Sequence, residues 1–336
     1  MIRLFANARY DFIGKRRWAY ALTAAFVIPG LLWIAIRGVT YSIEFTGGAF
    51  IQIRTTEPVG TGPIRDALRA AGLSGAEVQE FGSPTEFGVR ARIGTEGVAA
   101  GATEAVTQAV TRALDAGLGA GRYRIGRTEA VGPKVGRELR QRAVIAILFS
   151  FLVTLVYLAF RFEWRFGLAA VLATAHDILA TLAFIRYLDL EVSLVVVAAV
   201  LTVVGYSLND TIVIFDRVRE NLRKYRRQNL HDILNLSINE TLPRTVLTGG
   251  TTLATSLTLS FFAGEVIKPF ALVLSFGIIV GTFSSIFVAA PILLAIERRW
   301  PGTDARGARV LRVGGESAAP APTPPPAPGA RPKAAV

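Results

Sequence analysis

Long apolar runs alternate with short charged segments along most of this chain, and one stretch breaks the pattern. The runs lie at positions 18–36, 143–160, 166–188, 192–215, 246–262 and 267–296. Each is close to the length needed to cross a hydrocarbon layer of about 30 Å at 1.5 Å rise per residue. They predict a polytopic α-helical membrane protein with six transmembrane helices, the last run long enough for tilt or an interfacial turn. Between the first two runs, positions 37–142 follow a shorter period. The alternation in AFIQIRT and EFGVRARI predicts half-buried strands. The order predicted is strand 49–56, helix 62–71, strand 77–81, strand 86–93, helix 98–118 and strand 122–128. That is β-α-β-β-α-β, an external α+β ferredoxin-like domain with its helices on one face of the sheet.

Composition agrees with the pattern. Of 336 residues, 51% are hydrophobic and 18% charged, which excludes a soluble protein of this size. A net charge of +12 would suggest nucleic acid in a soluble chain. Here Lys and Arg gather beside the apolar runs, so membrane lipid accounts for the charge and no nucleic-acid partner is expected. The first run follows Lys15-Arg16-Arg17, exceeds a usual signal-peptide core and lacks a small-x-small cleavage site after it, so it is read as a retained helix.

Charge also orients the helices. The N-terminus 1–17, the connection 161–165, the connection 216–244 with seven basic residues against four acidic, and the segment 297–336 with seven against three are all basic. The connections at 189–191 and 263–265 are short and not basic. The positive-inside rule therefore places both termini in the cytoplasm of a multi-pass inner-membrane protein and the 37–142 domain outside. The tail within 297–336 is rich in proline, cannot build a core, and is expected to be extended and disordered.

Ionisable groups within such helices are costly and usually face protein or a water path. Asp210 lies in VVGYSLNDTIVIF, about 10 Å cytoplasmic of the middle of its span at 1.5 Å per residue, with Asn209 beside it and Gly205 and Ser207 within about one turn before it. An isolated carboxylate there suits reversible proton exchange, and it equally suits a structural hydrogen bond near the interface. Arg244, at the mouth of the fifth run, has comparable depth. It is read either as a charge partner released when Asp210 is protonated, or as a basic residue snorkelling to headgroups. Thr248, Thr251 or Thr252, and Thr255 share one face of that run, which suits cross-helix hydrogen bonds, a water path or plain close packing. His176 and Asp177 sit near the centre of the third run. Adjacent positions point about 100° apart, so they need not touch, and they serve either a proton relay or a pin between helices. Gly277-x-x-x-Gly281 permits close helix approach.

The chain has no cysteine and only two histidines, leaving no thiol chemistry and little material for a metal centre. No Walker loop, H-E-x-x-H or well-placed G-x-S-x-G is present, so no enzyme activity of the ATPase or hydrolase kind is expected and no cofactor is called for.

Several of these segments resemble the SecF branch of the SecD/SecF family, within the resistance-nodulation-division superfamily. Ser42-Ile-Glu-Phe-Thr-Gly-Gly48 resembles the D-F-T-G-G element opening the external domain, with Glu44 where Asp is usual, a change that keeps the charge and is expected to matter little. Gly132-Pro-Lys-Val-Gly136 with Glu138-Leu139 resembles G-P-x-V-G-x-E-L. His176-Asp177, Gly205 to Thr211, Asp216 to Asn221, and Arg244-Thr245 with Thr251-Thr252-Leu253 resemble the family's helices. The resemblance runs from about position 7 to 297. It implies pairing with SecD, association with the SecYEG channel and with YajC, a functional link to the ATPase SecA, and a translocating unfolded polypeptide as the object of work. It further implies that Asp210 and Arg244 are the intramembrane acidic and basic groups of proton coupling, with Na+ as the alternative ion. Two other readings remain: a small-molecule or lipid exporter of the same superfamily, which usually holds two six-helix halves and two external domains where this chain has one of each, and a scaffold that shares all the topology but conducts no ion.

Overall fold

The computed structural model describes residues 9–73, 76–91, 102–161, 163–264 and 266–300. The proline-rich tail, Glu265 and the start expected for helix 98–118 lie outside the described residues.

Apolar runs become helices wherever the chain can satisfy its backbone internally, as a lipid surrounding demands. These are α1 (Arg16–Arg37), α5 (Pro133–Arg161), α6 (Trp164–Tyr187), α7 (Leu194–Lys224), α8 (Leu230–Phe262), α9 (Lys268–Ser284) and α10 (Ala290–Arg299), with a π-turn at Ser285–Ala289 joining the last two. Five stretches are long and apolar enough to cross a membrane: Arg16–Arg37, Lys134–Leu158, Trp164–Tyr187, Leu194–Lys224 and Lys268–Arg299. Against the six expected, five meet this test of length and composition among the described residues. The run at 246–262 falls inside α8, where Thr248, Thr251, Thr252, Thr255, Ser256 and Thr258 dilute its apolar character.

Inside the bundle α6, α7 and α9 pack on one another, α8 covers α7 and α9, and α1 lies on α6. Their shared core includes Phe166, Ala173, Val200, Val204, Ile214, Phe215, Ile286 and Leu293. α5 keeps an apolar face open over Val144, Ile145, Leu148, Phe149, Leu152 and Phe160.

The external part contains α2 (Ile43–Thr46), β1 (Gly48–Thr55), α3 (Thr61–Ala70), β2 (Glu77–Phe81), β3 (Ser83–Ala91), α4 (Ala102–Gly117) and β4 (Tyr123–Val131). The strands form one antiparallel sheet in the order β2-β3-β1-β4. From β1 onward this is β-α-β-β-α-β in sequence, the topology of a ferredoxin-like sheet. Period-two alternation on β1 turns Ile51 and Ile53 to the helices, where they meet Ile64, Leu68, Val110 and Leu114. On the other face Phe50 lies over Gly88, where an added Cβ would stand 2.7 Å from its ring.

Sidedness is consistent throughout. The connection after α6 pairs with the segment leading to the domain, through Val192 N–H to Thr40 O at 2.8 Å and Ser42 N–H to Val192 O at 3.0 Å. At the opposite end, the residues before α1 dock on the start of α8, where Asn239 exchanges two hydrogen bonds of 2.9 Å with the Tyr10 backbone.

Candidate functional site

α7 is the axis of the polar interior. Its apolar residues at helical spacing, Val196, Val200, Val203, Val204, Ile214 and Val218, bury one side. On that same buried side the sequence places Ser207, Asp210 and Thr211.

Asp210 is 9% exposed. Its Oδ1 accepts a hydrogen bond of 2.7 Å from the Thr245 hydroxyl of α8. Its Oδ2 is buried and has no hydrogen-bond partner in the structure. An unpaired carboxylate oxygen out of water is expensive, and such groups concentrate where charge is to be exchanged. Arg244 does not supply the missing bond. It is exposed, and its charge acts on Asp210 without forming an ion pair. A step of one helical residue is a turn of about 100°, so with Thr245 aimed at α7 its neighbour Arg244 points away. Asn209 is exposed for the same reason beside Asp210.

Asp177 of α6 is fully buried and fully engaged. Its Oδ1 accepts from His176 Nδ1 at 2.8 Å, so the neighbouring pair does touch. Its Oδ2 accepts from Ser207 of α7 and, at 2.6 Å, from Ser284 of α9. One carboxylate thus joins three helices. His176 Nε2 is buried without a hydrogen-bond partner in the structure.

Two glycines make this meeting possible. A Cβ on Gly277 would stand 2.1 Å from Val203 Cγ2, and one on Gly281 would stand 3.0 Å from Ser207 Cβ. α9 therefore lies directly on α7 and brings Ser284 to Asp177. Ser285, the first residue of the π-turn, meets Thr211 at 3.0 Å between hydroxyls. A third close approach is Gly249 of α8, over which the Tyr206 hydroxyl and Thr282 Oγ1 would stand 3.3 and 3.2 Å from an added Cβ.

The threonine face divides. Thr251, Thr252 and Thr255 donate to carbonyls one turn back at 2.9, 2.8 and 3.0 Å, and Thr248, Thr251 and Thr255 are exposed. Further along α8, Ser256 reaches across to α9, donating to Ala271 O at 3.0 Å and accepting from Ser275 at 2.9 Å. Gly205 is exposed and open. Residues that the sequence reading passed over are Thr245 as a partner of Asp210, and Thr211, Thr282, Ser284 and Ser285. The signal for Ser284 was available, since it follows Gly281 at i+3 on one helical face.

Comparison with known proteins decides the family. The model for protein export membrane protein SecD/SecF, C-terminal, matches residues 110–299, and that for the SecD/SecF GG motif matches residues 32–59. The chain belongs to the SecD/SecF family. Protein translocase subunit SecF of Gemmatimonas aurantiaca is 54% identical over 326 residues, covering 94% of this chain and 95% of that protein. The SecF subunit of Rickettsia felis is 38% identical over 299 residues, covering 89% of this chain and 96% of that one. Among solved structures, SecDF from Thermus thermophilus, described as a translocon-associated membrane protein, superposes with a TM-score of 0.78 at 36% identity. It takes in 87% of this chain, which spans 39% of the SecDF chain. A SecDF structure in a super-membrane-facing form gives 0.63 at 37% identity, covering 88% of this chain and 39% of that one. The SecD/SecF chain is thus a multi-pass membrane protein with an external α+β domain between α1 and α5.

Proposed function

We propose that this chain is the SecF-type, non-catalytic subunit of the Sec export machinery, and that with a SecD partner it draws on an ion gradient to complete polypeptide passage through SecYEG after SecA has acted. YajC is a further associate in this reading. The observation that carries it is Asp210: a buried carboxylate on the central helix, with one oxygen held by Thr245 and the other without a hydrogen-bond partner. Such a group can take up and release a proton with little rearrangement, provided a path reaches it. The hydroxyls of Tyr206, Thr252 and Thr282 near Gly249 are candidates for that path, and Arg244 is the charge that answers ionisation by swinging inward. His176 and Asp177 belong to the same interior and serve first as the pin of α6, α7 and α9.

We also infer that α8 is a sixth crossing, so that both termini are cytoplasmic. Ser256 bonds to Ala271 and Ser275, which sets the polar helix at the same depth as the apolar α9. That the match spans 39% of the SecDF chain supports a SecD-type partner in the role of the rest of that chain.

The test is late translocation of a slow-folding secretory protein into inverted vesicles, with SecD present and ATP fixed. An imposed gradient should speed the unmodified protein several-fold and leave Asp210→Asn unaffected. Equal responses from correctly assembled proteins refute coupling at Asp210, and a pure sodium gradient separates H+ from Na+.

A further inference from the structure

The external domain meets the membrane bundle along α5, on which α2 packs, and at one short connection, residues 188–193, which leads straight into α7. Three parts of the external segment hold it. The stretch after α1 runs alongside it as a parallel bridge, Tyr41 to Val192, with the two backbone hydrogen bonds at Thr40 and Ser42. Arg90 of β3 forms an ion pair with Glu191, and a second of 3.5 Å with Glu77. The short helix α2 supplies Glu44, whose Oε2 accepts the N–H of Leu194, the first residue of α7, at 2.5 Å.

A helix begins with N–H groups that have no partner in the helix, and its N-terminus carries partial positive charge. Ser193 takes one of these groups, accepting from Val196 N–H at 3.2 Å. Glu44 takes another from outside the helix and brings a negative charge to the positive end. The turn that carries Glu44 is itself seated, because Ile43 and Phe45 are buried and Gly136 of α5 lies so close that a Cβ there would stand 3.0 Å from Gly47 N. Asp210 follows about 24 Å further along the same unbroken helix at 1.5 Å per residue.

We propose that Glu44 is a positioning residue that ties the outer end of α7 to the external domain, so that movement of α7 begun at Asp210 reaches the domain instead of dissipating in a slack loop. The inference rests on the coupling role given above to Asp210. The proposal departs from the expectation that Glu44 in place of Asp matters little: the carboxylate reaches Leu194 N–H, and Glu44→Asp is one methylene shorter.

The test uses the full chain assembled with its SecD partner in membranes. Loss of the cap in Glu44→Ala should lower amide-exchange protection at 194–196 about tenfold. It should also reduce gradient-stimulated export to the level of Asp210→Asn, while Glu44→Gln, which keeps size and an acceptor oxygen, retains an intermediate response. Because the chain has no cysteine, Tyr41→Cys with Val192→Cys gives a single engineered disulfide at the bridge. Its oxidation should restore the gradient response of Glu44→Ala, and reductant should remove the rescue. Normal export by Glu44→Ala despite faster exchange overturns the proposal. So does a disulfide that blocks the response of the otherwise unaltered protein, since the junction would then have to open. If Asp210→Asn responds like the unmodified chain, the coupling reading fails, and unchanged protection in Glu44→Ala separately refutes the tie.

Discussion

At the scale of single residues, the two buried aspartates differ in how far they are satisfied. Asp177 has all its hydrogen bonds and links three helices, so its loss should act on stability first. Replacing it with alanine strands two serine hydroxyls and an imidazole, and should cost about 2 to 4 kcal/mol in a detergent unfolding titration. Asp177→Asn, which keeps one acceptor oxygen, should lose much less. Thr245→Val removes the single hydrogen bond to Asp210 without changing side-chain shape greatly. Gradient-stimulated export should drop severalfold in this variant, with folding preserved; an unchanged rate would mean Thr245 does not hold the carboxylate in its working position. The sequence made Asp210 and Asp177 legible because a charge within an apolar run is costly wherever it points. It did not make their partners legible. Whether Arg244 or Thr245 faces α7 depends on a helix rotation of about 100°, and no periodicity in a threonine-rich run fixes that rotation.

At the scale of elements, the packing of α9 on α7 depends on the absence of side chains at Gly277 and Gly281. Gly277→Leu should destabilise the bundle, and truncating the facing residue in Gly277→Ala with Val203→Ala should recover part of the loss caused by Gly277→Ala alone. Thermal stability of the four proteins in a mutant cycle checks this, and strict additivity would count against the contact. The π-turn at 285–289 adds a residue to one turn of helix, so Ser284 and Ser285 serve different neighbours, Asp177 and Thr211. Nothing in the apolar pattern announces it. The strands were legible because alternation on a half-buried sheet leaves a period of two, as in Ile51 and Ile53. Helix α2 was not, being four residues between the bridge at Tyr41 and Gly47-Gly48. The start of α8 was not, because residues 230–245 are amphipathic and interfacial, and their polar positions Ser237, Asn239 and Thr241 are buried inside the protein.

At the scale of the whole molecule, the chain closes on itself at both faces. On the domain side the closure is the 188–193 connection. On the other side it is the segment 10–14, which buries Ile13 fully and is fastened to α8 by Asn235 and Asn239. Asp11 contributes there, accepting from Gly14 N–H and Asn235 Nδ2 at 2.8 Å each. The Gly14 N–H, then Asn235, hold its carboxyl below the ordinary range of a free aspartate. A depressed folded-state value means this support is fully present above the unfolded-state value and is lost as pH falls through the folded one. Amide exchange at Ile13 and Gly14, corrected for its intrinsic pH dependence, should therefore be slow near neutrality and lose protection as pH falls through the acid range, and Asp11→Asn should flatten that dependence. Tyr10 and Asn239 are 229 positions apart in sequence. During synthesis at about 5 to 20 residues per second, the first-made segment waits roughly ten to fifty seconds for its binding face to emerge. The segment 10–14 is consequently among the last parts to be settled, and a nascent chain halted before α8 should still have that segment loose.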